Sequence, residues 1–255
     1  MPKFAKRNSV IFFKHSIYVG LSLAIAAPST KSQELDTYTI NYLATAGVAT
    51  ASARRSLSKI EGNTYQLLNT INVELAGQSV TKIIEISEII LSKDKKWVPN
   101  SYSKEQLGFK ETFEKVIYDW DQSIAKVRTT DRSSQVNLEK GTFDQLSHQI
   151  AIRENFTEGN ERLSYNIIDK STVEEYQYAI VGEEDLRTAL GDFRSIKIER
   201  TQPEDDSRSI VFWLSTDWAG VLLKMNQVIG MGIEVSLEIQ DGVVNGKPIT
   251  GKRKF

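Results

Sequence analysis

The chain has 255 residues, of which 32 are basic and 33 are acidic, so its formal net charge is −1. This balance argues against a nucleic-acid-binding protein, because a basic surface supplies most of the affinity for nucleic acid. The absence of cysteine excludes disulfides and a lipid anchor on a cysteine, and a chain of this length is able to stabilise itself through its core.

The first 26 residues have the three parts of a secretory signal peptide. A basic head precedes an apolar run from Ser16 to Ala27, and Ala24-Ile25-Ala26 has the form of a cleavage site. The run is shorter than the roughly 20 apolar residues of a membrane-spanning helix. We therefore expect cleavage after Ala26, export to the periplasm, and a mature chain without an integral membrane span. That mature chain keeps 28 of the 32 basic and all 33 acidic side chains, a net charge of −5.

From Asp36 onwards, short strands separated by turns dominate the chain. Apolar and polar side chains alternate around Tyr38, Ile40 and Tyr42, and again from Ile233 to Ile239, which is the spacing that buries one face of a strand. A sheet of this many strands tends to curl, because curling removes exposed edges. We predict an all-β fold, an antiparallel meander curled into an open or closed barrel, with one or two short helices.

The mature chain is predicted to be a single antiparallel β-domain from residue 27 to residue 255, since no linker, repeat or change of composition divides it. Phe113 to Trp120 and Ser123 to Thr129 are predicted to form a hairpin. Residues 202–207 form a predicted acidic turn. The basic segment Gly251-Lys252-Arg253-Lys254-Phe255 is expected to be a frayed tail.

One helix is predicted, from Gly141 to Phe156. Phe143, Leu146 and Ile150 recur at helical spacing, and neither glycine nor proline interrupts the segment after its first residue. A later acidic segment, Glu183 to Leu190, is predicted to be a turn or a single helical turn.

Two groups of residues are candidates for catalysis. Asp119 and Asp121 resemble the paired carboxylates of glycoside hydrolases, but at the tip of a hairpin such residues usually serve the turn. His148 follows Ser147 on the predicted helix, where neighbours do not face each other, so we expect a surface histidine. One histidine without cysteine does not supply the usual zinc ligands. We predict no catalytic residue, no metal and no cofactor, and hence a protein that is not an enzyme.

Aromatic residues are plentiful for one β-domain, with 4 tryptophans and 9 tyrosines. Most are expected to fill the core, although a barrel of this size can also keep an apolar cavity open at one end. Tyr102, Trp213 and Trp218 lie near predicted strand ends, and we predict that they bind the ligand of such a cavity.

Several short motifs follow one another between Leu35 and Gln240. They are Tyr38 with Gly47, Pro99-x-x-Tyr102, Asp144-x-Leu146-Ser147 with Arg153 downstream, Tyr176-x-Tyr178, Leu186-x-Thr188-x-x-Gly191, and Arg208 leading to Trp213-Leu214. In this order they resemble the exported proteins of Gram-negative bacteria grouped as domain of unknown function 3108. The resemblance implies a periplasmic, mostly antiparallel β-domain that curls like the lipoprotein-carrier folds. It assigns no activity and no catalytic residues.

These observations favour a periplasmic binding or carrier protein for a lipid or another amphipathic envelope component. The alternative is an envelope assembly factor that contacts a protein partner and has a solid core and an exposed apolar patch. A hydrolase that uses Asp119 and Asp121 ranks third, and it requires both carboxylates in one cleft.

Overall fold

The computed structural model describes residues 34–157, 159–201, 209–229 and 232–252. Three of the sequence predictions concern residues outside this set. They are the signal peptide (residues 1–26), the acidic turn (residues 202–207) and the end of the basic tail (residues 253–255).

Sixteen strands and one helix follow one another along the described chain. The strands before the helix are β1 (Tyr38–Ala46), β2 (Ala49–Glu61), β3 (Thr64–Leu75), β4 (Gln78–Leu91), β5 (Trp97–Gly108), β6 (Thr112–Asp119), β7 (Ile124–Thr129), β8 (Ser133–Asn137) and β9 (Thr142–Asp144). Helix α1 spans His148–Thr157. The later strands are β10 (Arg162–Asp169), β11 (Thr172–Thr188), β12 (Gly191–Arg200), β13 (Ile210–Ser215), β14 (Leu222–Ile229), β15 (Ile233–Val244) and β16 (Lys247–Pro248).

All of these strands belong to one sheet. Its order is β8-β7-β6-β5-β4-β3-β2-β1-β15-β14-β13-β12-β11-β10-β9, with β16 beside β15. Neighbours along this path are antiparallel, except that β9 and β10 are parallel. In the described part of the chain the two outermost strands, β8 and β9, do not pair, so the sheet curls without closing. The predicted antiparallel meander with a short helix is confirmed, in its open form.

The pairing of β1 with β15 joins the two ends of the chain. Tyr38 lies opposite Val244, and Ile40 lies opposite Gly242. A Cβ atom at Gly242 would stand 2.5 Å from Cδ1 of Ile40, which is closer than atoms can approach. Glycine therefore leaves the room that Ile40 needs to be fully buried at this junction.

Side-chain hydrogen bonds join strands of the curled sheet that are not paired through their backbones. The hydroxyl of Ser87 on β4 donates to Oδ2 of Asp144 on β9 (2.9 Å). The carboxylate of Glu114 on β6 accepts from the backbone N–H of Lys170 in the β10–β11 turn (2.7 Å). Ser87, Glu114 and Asp144 are buried, and buried polar groups require partners. These bonds therefore fix how tightly the sheet curls.

The same Asp144 carboxylate positions the start of α1. Its Oδ1 accepts hydrogen bonds from the backbone N–H groups of Leu146 (2.9 Å) and Ser147 (2.7 Å). The Ser147 hydroxyl in turn accepts from the backbone N–H of Asp144 (3.1 Å). These bonds satisfy backbone donors that precede a helix and have no helical partner. The helix consequently begins at His148.

The observed helix is shorter than the prediction from Gly141 to Phe156. Thr142–Asp144 of the predicted segment form β9, which pairs with Asn166–Ile168 of β10. The helical spacing of Phe143 and Leu146 was misleading, because these residues are buried on a strand and in a turn instead of on one helix face. No helix in the described ranges is long and apolar enough to cross a membrane.

Strand β11 continues through residues 183–188 of the segment from Glu183 to Leu190, so the prediction of a turn or a single helical turn is wrong except at Ala189 and Leu190, which form the turn to β12. Residues 182–188 pair with residues 191–197 of β12. The hydrogen bonds come from a neighbouring strand, which a polar sequence by itself does not reveal.

The first residues of the predicted basic tail are hydrogen-bonded to the sheet. The backbone N–H of Lys252 donates to the carbonyl of Asp192 (2.8 Å), and the N–H of Asp192 donates back to the carbonyl of Lys252 (3.0 Å). A Cβ atom at Gly251 would stand 2.6 Å from the carbonyl carbon of Gly191. Gly251 and Lys252 are therefore paired, whereas the sequence predicted fraying from Gly251 onwards.

We expect the substitution Asp144→Ala to lower the free energy of unfolding by roughly 3 kcal/mol or more, because it leaves three buried donors unpaired. Urea denaturation followed by tryptophan fluorescence measures this change. The matched control is Asp241→Ala, which removes an exposed hydrogen bond from Asn41 (2.6 Å) and should change stability by about 0.5 kcal/mol or less. Equal losses in the two variants would contradict the role assigned to Asp144.

Candidate ligand-binding pocket

A cavity of about 300 Å³ lies between α1 and the strands that the helix packs against. Its lining comes from β1, β2, α1, β11, β12, β13 and β14 and from the β13–β14 turn. Helix α1 lies between two hydrophobic clusters, with Ile150 in one and Ile152 in the other. The volume is at the lower end of the range for small-molecule sites.

The side of the pocket formed by β13 and β14 is apolar. Ile210, Phe212 and Leu214 recur at every second position of β13, so all three face the cavity. Leu222 and Met225 of β14 complete this wall. Leu214 is buried, whereas the other four are half-buried. The wall therefore extends from the interior towards solvent.

The β13–β14 turn meets α1 at Gly220. This residue has φ +65°, and a Cβ atom there would stand 3.0 Å from the ring of Phe156 and 3.1 Å from Cγ of Arg153. Only glycine combines this backbone conformation with so close an approach. Gly220 thereby allows the helix to close one side of the pocket.

The remaining lining carries three arginines, Arg55 on β2, Arg153 on α1 and Arg200 on β12. The Cζ atom of Arg153 lies 5.4 Å from the ring centroid of Tyr38. The Cζ atom of Arg200 lies 3.6 Å from the ring centroid of Tyr176. Both distances are within the range of cation–π contacts. The tyrosine rings thus hold two of the three guanidinium groups in place.

Polar atoms without partners are concentrated in this pocket. Seven buried side-chain polar atoms of the described residues lack a hydrogen bond, and four belong to the lining: the hydroxyl of Tyr42, Nε of Arg55, Nη1 of Arg153 and Nε of Arg200. These four atoms are buried and have no acceptor within the described chain.

His148 lies in the lining, buried at the first position of α1. Its Nδ1 is 3.2 Å from the carbonyl oxygen of Asp144, an acceptor, so Nδ1 carries the proton. Its Nε2 then accepts the hydroxyl proton of Tyr178 (3.0 Å). The expectation of a surface histidine is wrong, because the bonds of Asp144 draw the start of α1 into the interior. Ser147 bonds to the backbone of Asp144 and makes no pair with His148.

Burial sets the protonation states around the pocket. It lowers the pKa of His148 to about 4, against the hydrogen bond to the Asp144 carbonyl. It raises the pKa of Asp144 to about 6, against the hydrogen bonds that this carboxylate accepts. It also raises the pKa of Tyr42 and Tyr178 above the ordinary value. Near neutral pH the arginines are therefore the charged groups of the lining, since arginine stays protonated in proteins.

The three predicted ligand-binding residues, Tyr102, Trp213 and Trp218, lie outside the lining of this pocket. Tyr102 is 1% exposed, and its hydroxyl donates to Oε1 of Glu85 (3.1 Å) in the core. Trp218 lies in the β13–β14 turn, and its Nε1 donates to the carbonyl of Thr250 (3.1 Å). Both polar groups are occupied by the protein itself. A role of these residues in ligand binding stays a prediction.

Trp213 is directed away from the pocket by the alternation of β13. Its neighbours Phe212 and Leu214 face the cavity, so the indole points to the other face of the sheet. There its Nε1 donates to the carboxylate of Glu184 on β11. Trp213 therefore lies on a strand that lines the pocket but on the opposite face of the sheet.

Asp119 and Asp121 serve a turn, as the sequence predicts. Oδ1 of Asp119 accepts from the backbone N–H of Gln122 (3.0 Å), and Asp121 is exposed. Over the residues that the structure describes, no group of three histidine, aspartate or glutamate side chains is arranged to hold a metal ion.

The three arginines of the pocket were not among the predicted ligand-binding residues. Arg55 lies on the same face of β2 as the buried Ala53 and Leu57, and Arg200 lies on the same face of β12 as the buried Ile198. An arginine in phase with the apolar residues of a strand is the signal that could have revealed both. It is informative because a charge in that position needs a partner.

Comparison with known families confirms the resemblance drawn from the motifs. The family model described as "Protein of unknown function (DUF3108)" matches residues 37–239. Four motif residues, Tyr38, Arg153, Tyr176 and Tyr178, lie in the lining of the pocket. None of the curated proteins compared with this chain matches it.

Comparison with solved structures shows the same fold in another protein. The crystal structure of a beta-barrel-like protein of domain of unknown function DUF1849 from Brucella abortus has a TM-score of 0.56 and 12% identity, covering 83% of this chain and 98% of that one. A structure titled "a putative lipoprotein" from Parabacteroides distasonis has a TM-score of 0.26 and 12% identity, covering 84% and 95%. The first likeness supports the curled sheet, and the second is too weak to carry an argument.

The burial of His148 leads to a prediction about pH. Its pKa is about 4 in the folded protein and near 6.5 when unfolded, so its contribution to stability is present above pH 6.5 and is lost as the pH falls through 4. Asp144 has the opposite sign, because its raised pKa adds stability at low pH that is lost as the pH rises through 6. Comparing wild type with His148→Gln at each pH cancels the Asp144 contribution.

We expect the difference in free energy of unfolding, wild type minus His148→Gln, to fall by about 3 kcal/mol between pH 6.5 and pH 4. Urea titrations at a series of pH values measure it. A difference that does not change with pH would show that His148 titrates normally and is not buried as described.

Proposed function

This chain belongs to the DUF3108 family of proteins of unknown function, and on that premise we propose that it is a non-enzymatic binding or carrier protein of the periplasm. Its ligand is an amphipathic small molecule, such as a lipid or another envelope component, held in the pocket beside α1. The observation that carries the proposal is a cavity whose lining combines apolar side chains with polar side chains that lack a hydrogen-bond partner in the described chain.

A lining that combines apolar and polar side chains suits an amphipathic molecule. The apolar part of the ligand would contact Ile210, Phe212 and Leu214, where each buried methylene group contributes about 0.8 kcal/mol. The polar part would accept hydrogen bonds from donors such as Tyr42 and Arg153. A purely apolar ligand would leave these donors unpaired, and a purely polar one would leave the wall of β13 without contacts.

The titratable groups of the pocket favour binding over catalysis. His148, the histidine of the lining, uses one ring nitrogen on the Asp144 carbonyl and the other on the Tyr178 hydroxyl. The proton within reach of Nε2 belongs to the Tyr178 hydroxyl, and burial raises the pKa of Tyr178, which opposes its removal. Export to the periplasm rests on the predicted signal peptide.

A second function, an assembly factor that docks on an envelope protein, is favoured by a separate observation. Val48 in the β1–β2 turn is 88% exposed, and Phe109 in the β5–β6 turn is 96% exposed. The strand registers place both turns at the same end of the sheet. This function predicts a stoichiometric partner in envelope extracts that is captured by wild type and lost with Phe109→Ser.

The carrier proposal predicts that the protein, purified without detergent, binds a neutral naphthylamine dye or carries a discrete added mass in native mass spectrometry. Met225→Trp places an indole in the cavity from the β14 wall. We expect this variant to bind the dye at least about tenfold more weakly, with a loss of stability of about 1.5 kcal/mol or less.

The control for that experiment is Val173→Trp. Val173 lies on β11 and is 42% exposed, so its indole should leave dye binding unchanged. Tyr102→Phe, Trp213→Phe and Trp218→Phe in the same assay test the three residues that the sequence predicted. A wild-type protein that binds neither dye nor natural ligand would contradict the carrier proposal.

A further inference from the structure

We propose that the polar end of the ligand is an anion, a carboxylate or a phosphate monoester, and that Arg55, Arg153 and Arg200 bind it. This inference rests on the proposed function, because it names the chemistry of the molecule that the pocket would hold. It commits to a compact amphiphile with a single hydrocarbon body, because a cavity of about 300 Å³ is at the small end of ligand sites.

The three guanidinium groups act on one small region of the pocket. Arg55 and Arg153 both lie close enough to Tyr42 for their charges to oppose the rise of its pKa. Arg55 and Arg200 both act in the same way on His148, where their charges disfavour protonation. Arg55 therefore acts on both groups, whereas Arg153 acts on Tyr42 and Arg200 acts on His148. An anion placed beside Tyr42 and His148 would be within the field of all three charges.

In the described part of the chain, no acidic side chain forms a direct ion pair with these arginines. The lining contains no aspartate or glutamate, and none of the three arginines takes part in the ion pairs of the described chain. Glu85 feels the charge of Arg55, but its oxygens are already used by Asn69 (2.7 Å), Tyr102 (3.1 Å) and Lys104 (3.3 Å).

The position of this charge is unusual for the composition of the chain. The whole sequence has 33 acidic and 32 basic residues, whereas the pocket lining has three arginines and no acidic side chain. Burying a charge without a partner is unfavourable, so a ligand that supplies the opposite charge would recover this loss. A cationic or uncharged ligand would not.

Guanidinium groups are suited to oxyanions. The planar donors of arginine match the oxygens of carboxylates and phosphates in paired hydrogen bonds. The atoms left free, Nε of Arg55, Nη1 of Arg153 and Nε of Arg200, are donors of this kind, and the hydroxyl of Tyr42 adds a fourth. Packing of Arg153 and Arg200 on tyrosine rings orients the planes but does not satisfy these donors.

The test uses the full protein and ligands with the same hydrocarbon chain and different polar ends. Displacement of the neutral dye is measured for dodecyl phosphate, dodecanoate, dodecanol and dodecyltrimethylammonium below their micellar concentrations, and inorganic phosphate represents the polar end alone. We expect the two anionic amphiphiles to bind at least about tenfold more tightly than the alcohol. Inorganic phosphate should displace no dye.

Three variants, Arg55→Gln, Arg153→Gln and Arg200→Gln, connect the preference to the pocket. Each should weaken the anionic ligands about tenfold or more, and the alcohol by no more than about twofold. The matched control is Arg128→Gln, which changes an exposed arginine that packs 5.5 Å from the Phe113 ring on β6. It should change neither.

The outcomes separate this inference from the proposed function. If the alcohol binds as tightly as dodecyl phosphate, the protein is a carrier but the anion inference is wrong. If the protein binds the dye but no amphiphile displaces it, the anion inference is wrong, and if it binds neither dye nor amphiphile, both are wrong. If inorganic phosphate binds as tightly as dodecyl phosphate, the site binds a free anion, and the inference that the ligand is an amphiphile is wrong. If the arginine variants weaken all ligands equally, the arginines are structural and the inference is overturned.

Discussion

The buried carboxylate of Asp144 is the contact on which the rest of the structure depends. One oxygen accepts from Ser87 on the far side of the curled sheet, and the other accepts two backbone N–H groups before α1. The backbone carbonyl of the same residue orients His148. A single residue therefore links the curl of the sheet to the place where the helix starts. Without it, three buried donors lose their acceptor, which strongly destabilises a fold.

The position of the helix determines the chemistry of the pocket. Because α1 starts inside the curl, Arg153 comes to lie beside Tyr38, in a lining that also contains Arg55 and the apolar residues of β13 and β14. This combination of cationic and apolar side chains arises from the packing of one helix against several strands. Such a combination is what recognition of an amphipathic molecule requires.

Local patterns in the sequence predicted most of the sheet. The alternation around Ile40 and the hairpin of β6 and β7 are both present as predicted. The predictions failed where a distant partner decides the structure. Phe143 belongs to a strand because β10 lies beside it, and Glu183 continues a strand because β12 supplies its hydrogen bonds. Trp213 was an attractive ligand-binding residue, yet the parity of β13 turns it away from the pocket.

The sequence by itself determined the family, through the order of its motifs, and the fold class and most of the strands, because a period of two in hydrophobicity is a local property of a strand. Only the tertiary structure decided where the sheet stops curling, where α1 begins and which side chains share a cavity. Arg55, Arg153 and Arg200 are 98 and 47 residues apart along the chain. Their meeting depends on strand order and on the buried bonds of Asp144, and these are non-local interactions that hydrophobic periodicity does not encode.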